Sequence, residues 1–164
     1  MLPTKWKIFR IANYLHIAGA GSLMLFLFFD MYRHPSKLKA DPVLFLYIIC
    51  IGLMLLNGFI NLHLVEKCYP NKHPGKTLRT TTAFVAVLNI IILLLLLISS
   101  FYTLYKLLFT DNAFHIDFTI FTVVIVTTSF TGIYVWWQQI ILEKLIKRNY
   151  NNQLNSFLEE IPTP

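Results

Sequence analysis

The stretch Ala83–Tyr105 reads AFVAVLNIIILLLLLISSFYTLY, and no charged residue stands between Arg79 and Lys106. As a helix rising about 1.5 Å per residue, a run of about 23 residues covers roughly 34 Å. That is enough to cross a hydrocarbon core about 30 Å thick. Water cannot satisfy backbone groups there, so the segment must close its own hydrogen bonds as a helix. Three other apolar runs share this character. Together they predict spans at about 11–32, 42–65, 80–105 and 118–142.

The predicted fold class is therefore all-α, an integral membrane four-helix bundle with four transmembrane helices. The totals agree. Of 164 residues 56% are hydrophobic and only 13% charged, about half the charge of an ordinary soluble domain. Residues 1–148 are expected to form one four-span domain and residues 149–164 a cytoplasmic tail. In the tail, Leu154, Phe157, Leu158 and Ile161 fall at the spacing of a short amphipathic helix. A frayed end is the competing reading, because Asn149, Asn151 and Asn152 are weak helix formers.

A signal peptide is the first alternative for the opening span, since Ala18-Gly19-Ala20 mimics a cleavage site. Arg10, Asn13 and His16 interrupt the apolar region before it, whereas a secretory core is continuously apolar. The segment reads as a retained span. Asp41-Pro42 and Asp117 are the expected starts of the second and fourth helices, carboxylates that cap free amides. Cys50 and Cys68 lie about 27 Å apart along one helix, far beyond disulfide reach.

The net charge of +6 sits beside apolar runs. It points to anionic lipid headgroups rather than nucleic acid. Lys5, Lys7, Arg10, Lys67, Lys72, Lys76, Arg79, Lys144, Lys147 and Arg148 fall on one side of a four-span topology. Only Arg33, Lys37, Lys39 and Lys106 fall on the other. The positive-inside rule then predicts both termini in the cytoplasm of a cell-membrane protein. Trp6, Tyr14, Tyr69, Trp136 and Trp137 are expected at the inner interface, and Tyr32, Tyr47, Tyr102 and Tyr105 at the outer one.

Each span carries a stripe of small and polar residues at heptad-like spacing, the pattern of membrane helices that pack together. Asn13, His16, Ala20, Leu23, Leu27 and Asp30 form it on the first span. Cys50, Met54, Asn57, Asn61 and Leu64 form it on the second, and Thr82, Ala86, Asn89, Leu93, Leu96 and Ser100 on the third. On the fourth it is Val124, Thr128, Thr131, Val135 and Gln138. The expectation is a polar layer of Asn13, His16, Asn57, Asn61, Asn89, Thr131 and Gln138, read either as interhelical bonding or as a pocket. Asp30 is expected to pair with Arg33 at a headgroup level.

Haem b is the cofactor alternative, with His16 and either His63 or another histidine as axial ligands. Leu15-His16 resembles, over one span and two residues, the opening of small haem-binding four-span proteins. Against it, His63 lies about 200° around the helix from Asn61, so it faces lipid if the asparagines face the core. His34, His73 and His115 fall in loops. There is no GxSxG, HExxH or Gly-rich phosphate loop, no metal-spaced cluster, and no base near Ser99-Ser100 or Thr127-Thr128-Ser129. Those hydroxyls are expected to bond to carbonyls four residues back. The first reading is a non-catalytic subunit, assembly factor or scaffold that joins other membrane subunits or itself, without a cofactor. The alternatives are a haem-binding electron-transfer protein and a small oligomeric transporter or pore.

Overall fold

The computed structural model describes residues 2–33, 42–69, 72, 74–109 and 116–159. Within them the chain is all-helical: α1 (Leu2–Arg33), α2 (Pro42–Cys68), α3 (Lys76–Phe109) and α4 (Ile116–Glu159). All four are long and apolar enough to cross a membrane. Local sequence permits such lengths. Pro3 and Pro42 sit in first turns, where a missing N–H removes no helical bond. The run from Ile120 to Thr128 is rich in β-branched residues, a composition that favours strands in water. In a segment this apolar the backbone's own pairing outweighs that preference.

The helices pack as a ring in chain order. α1 lies between α2 and α4, and α3 closes the ring by touching the same two. Only 28–44% of the most apolar window of each helix is buried inside the bundle, so most of each span's surface faces outward. Two apolar clusters fill the interior. One joins Trp6, Phe9 and Ala12 to Leu64, Val65, Cys68, Val135, Leu142 and Ile146. The other gathers Ala20, Leu23, Leu27, Ile51, Met54, Ile92, Leu93, Leu96 and Ile125. Beside the second cluster, Phe26 stacks on Phe121 with ring centroids 4.8 Å apart. Along α1 and α2, the polar residues Asn13, His16, Asn57 and Asn61 fall between the two clusters.

The helices differ from expectation at their ends. α1 begins at Leu2, so its basic opening segment is part of the bundle. Trp6, expected at the inner interface, does not lie on the outer surface of the bundle. It is 1% exposed and packs in the first cluster, because the far stretch of α4 brings Leu142 and Ile146 to that cluster. Trp137, by contrast, is 59% exposed. α4 runs 44 residues without a break. The segment expected as a separate tail is helical as its continuation up to Glu159. Asp117 falls inside the first turn of α4 rather than before it. Asp41 lies outside the described residues, as do Asp111, His34, His73 and His115.

Candidate functional site

The residues between the two apolar clusters come from every helix. Asn13, His16, Asn57, Asn61, Asn89, Thr128 and Ser129 are buried and Thr131 is half-buried; Gln138 and Gln139, also buried, adjoin them on α4 between Val135 and Leu142 of the first cluster. Three glycines let the backbones approach closely enough to assemble them, as small residues do between membrane helices. A Cβ added at Gly58 on α2 would collide with Ile17 of α1, and one at Gly19 on α1 with the Thr128 hydroxyl of α4. At Gly132 it would stand 2.6 Å from Leu93 Cδ1 and 2.7 Å from His16 Cε1.

These approaches set the hydrogen bonds. The Asn13 amide donates to the Gly58 carbonyl at 2.7 Å, tying α1 to α2. The Asn61 amide donates to Asn13 Oδ1 at 3.5 Å, a long contact. His16 is wholly buried, with Nδ1 3.3 Å from the Thr128 carbonyl of α4. A carbonyl only accepts, so the bond requires the proton on Nδ1 and makes Nε2 of the neutral ring an acceptor. Thr131 Oγ1 donates to the same Thr128 carbonyl at 2.9 Å. One backbone oxygen thus serves both the imidazole and the hydroxyl.

Other polar atoms in this layer have no protein partner among the described residues: His16 Nε2, the side-chain carbonyl oxygens of Asn57, Asn61, Asn89, Gln138 and Gln139, and Ser129 Oγ. All can accept a hydrogen bond, and none belongs to an acid. Gln139 does use its amide, which donates to Glu143 at 3.4 Å. No group of three or more His, Cys, Asp or Glu is placed to hold a metal ion among the described residues. Among the described residues the layer therefore offers amide and hydroxyl dipoles and one imidazole, with the Glu143 carboxylate reached by Gln139.

The pair considered for haem is not brought together. His16 points into the bundle, while the His63 side chain is 53% exposed and sits 3.8 Å from Glu66 on its own helix. The two-residue step from Asn61 carries His63 to the opposite face, so no axial pair forms between them. Cys50 and Cys68 are both free thiols. Thr127 donates to the carbonyl of Val123 four residues back at 2.9 Å, while Ser99 Oγ instead lies 3.4 Å from Tyr47 OH across the α2–α3 seam. Arg33 lays its guanidinium over the Phe29 ring, 4.3 Å from the centroid.

Sequence spacing missed Ser129, Gln139 and the glycines at 19, 58 and 132. α4 meets both α1 and α3, so its buried face is wider than one stripe. The available signal was the run of polar neighbours Thr128-Ser129 and Gln138-Gln139.

Among the described residues, four grooves can be traced on the bundle's flanks and ends. One of about 450 Å³ runs between α1 and α2, past Trp6, Lys7, Arg10, Val65 and Tyr69. A second, about 210 Å³, shares Arg10, Val65 and Tyr69 with it and adds Tyr14, Leu62 and Glu66. A third lies along the start of α3. The last, beside His63, is bounded by Phe59, Leu78 and Thr81. None of the four is lined by His16 or by the buried asparagines and glutamines. In comparisons with protein-family models, curated proteins and solved structures, nothing matches the chain.

Proposed function

We propose that this chain is a four-span protein of the cell membrane, with both termini cytoplasmic, serving as a non-catalytic subunit, assembly factor or scaffold. The observation that carries this reading is how the polar layer is packed. Gly132 brings α4 against the His16 ring, and Asn13 and His16 are held by backbone carbonyls of two neighbouring helices. Such a layer fixes helix register. Among the described residues, the imidazole bonds to a backbone carbonyl through Nδ1 and to no protein group through Nε2. The outward apolar surface, the larger share of every span, is available to lipid and to other subunits. The uneven distribution of Lys and Arg supports the orientation.

The test is cross-linking in native membranes, followed by gentle solubilisation and sizing. A discrete assembly larger than one chain plus its detergent is expected. A monomer with no cross-linked neighbour refutes the reading. Cysteines placed at residues 4 and 152 test orientation. Both should react with a membrane-impermeant thiol reagent only after the cytoplasmic side is opened.

A second reading, a small transporter or pore, is favoured by the unpartnered acceptors of the layer. Neutral oxygens and an imidazole lone pair suit a cation or a proton-bearing species. Cysteines at positions 16, 57 and 89 distinguish it. Protection from small water-soluble thiol reagents on both sides refutes a water-filled path.

A further inference from the structure

The groove between α1 and α2 has a composition that the polar layer lacks. Its floor is apolar, made by Trp6 and Val65, both buried. Its rim carries Lys7 and Arg10, three residues apart and therefore neighbours on one face of α1, with Tyr69 beside them from the turn that follows α2. Lys7 and Arg10 are exposed, and neither has an ion-pair or hydrogen-bond partner among the described residues. The smaller groove carries the same seam onward past Leu62 and Tyr14, in the direction an acyl chain runs from its headgroup. Glu66, the acid that lines the smaller groove, already lies 3.8 Å from His63.

We infer that this seam is a binding site for one anionic phospholipid, its phosphate between Lys7 and Arg10 and an acyl chain along Val65, Leu62 and Tyr14. The chemistry follows from the parts. Two cations at the mouth of a cleft between transmembrane helices attract phosphate. Arg adds a planar fork that pairs two phosphate oxygens at once. Trp and Tyr favour the depth at which headgroup and acyl chain meet. The two cations outnumber the single carboxylate, which selects an anionic over a zwitterionic headgroup. The inference rests on the membrane-spanning reading above and adds to it a ligand and a place.

The experiment reconstitutes the full chain into nanodiscs of mixed phosphatidylglycerol and phosphatidylcholine and counts retained lipids by native mass spectrometry. The wild type should keep a phosphatidylglycerol in preference to phosphatidylcholine. Lys7→Gln with Arg10→Gln should lower that retention about fivefold for each charge removed. Lys144→Gln with Lys147→Gln, equal in charge on the exposed face of α4, should leave it unchanged. Equal retention of both lipids overturns the proposal, as does equal loss in the two double variants. Displacement by millimolar glycerol 3-phosphate also overturns it, since the site would then take a soluble phosphate. Arg10→Gln alone, checked by size-exclusion profile, guards against a double variant that fails to fold. Alkaline carbonate extraction separates the two claims. A chain released from membranes refutes the spanning reading, whereas a retained chain with no lipid preference refutes only this site.

Discussion

Replacing Gly132 by Ala tests the packing of the polar layer most directly. Two effects of one methyl group oppose each other. Ala is the better helix former by about 1 kcal/mol in a helix interior. The new Cβ, however, would stand 2.7 Å from His16 Cε1 and 2.6 Å from Leu93 Cδ1, where carbon atoms prefer about 3.5–4.0 Å. Leu93 can turn its terminal methyl. The His16 ring is less free, because Nδ1 faces the Thr128 carbonyl one turn from Gly132. Relief requires α1 and α4 to separate by several tenths of an ångström, and overpacking of that kind costs about 1–3 kcal/mol. Gly21 and Gly52, whose added Cβ would meet nothing within 4 Å, supply the propensity term alone. Gly132→Ala should therefore lie about 1–3 kcal/mol below Gly21→Ala and Gly52→Ala, measured as reversible unfolding in mixed micelles. In a His16→Ala background most of that deficit should vanish, since contacting residues couple. If Gly132→Ala matches the other two glycine variants, or if its deficit survives removal of the ring, the proposed contact does not govern the packing.

Asn13→Leu should show coupling to Asn61→Leu of about 0.6 kcal/mol and no more than about 1.7, the range for hydrogen bonds between membrane helices. A double-mutant cycle with no coupling would mean that the 3.5 Å contact is not a bond. Trp6→Ala should destabilise by up to about 3–5 kcal/mol, because Trp6 is buried in the first cluster. Trp137→Ala should stay within about 0.5 kcal/mol, and equal melting temperatures would contradict the burial of Trp6. Gly58→Val should disrupt the α1–α2 seam, where even a Cβ meets Ile17. Ile17→Ala should restore part of the loss, and failure to restore any would place the damage elsewhere.

Helix faces were legible because they depend on a period of 3.6 residues and little else. Asn13, His16, Ala20, Leu23 and Leu27 share one side of α1, and that side is the buried one. The same period separates His63 from Asn61. What resisted reading depends on neighbours. Trp6 in a basic segment has the composition of an interfacial residue, and its burial depends on residues of α2 and α4 that share its cluster. Gly19, Gly58 and Gly132 look alike to a sequence reader who sees Gly21 and Gly52 as well. Their difference lies in which atoms of another helix come opposite. Ser129 and Gln139 stand one residue off their stripe and are buried because α4 has two neighbours. The end of α4 was obscured by its asparagines, whose propensity cost is only tenths of a kcal/mol each.

α4 carries a further implication. Beyond the apolar span it continues from about residue 143 to Glu159, roughly 25 Å of additional helix, and no glycine or proline follows Gly132 before that point. The apolar and polar parts of α4 are therefore a single beam with no glycine or proline hinge between them. A sideways load on its far end would be borne by Leu142 and Ile146, which share the first cluster with Trp6, before it reached the histidine below. Trp6 thus sits at the fulcrum of that beam, and its burial is what would keep the beam upright.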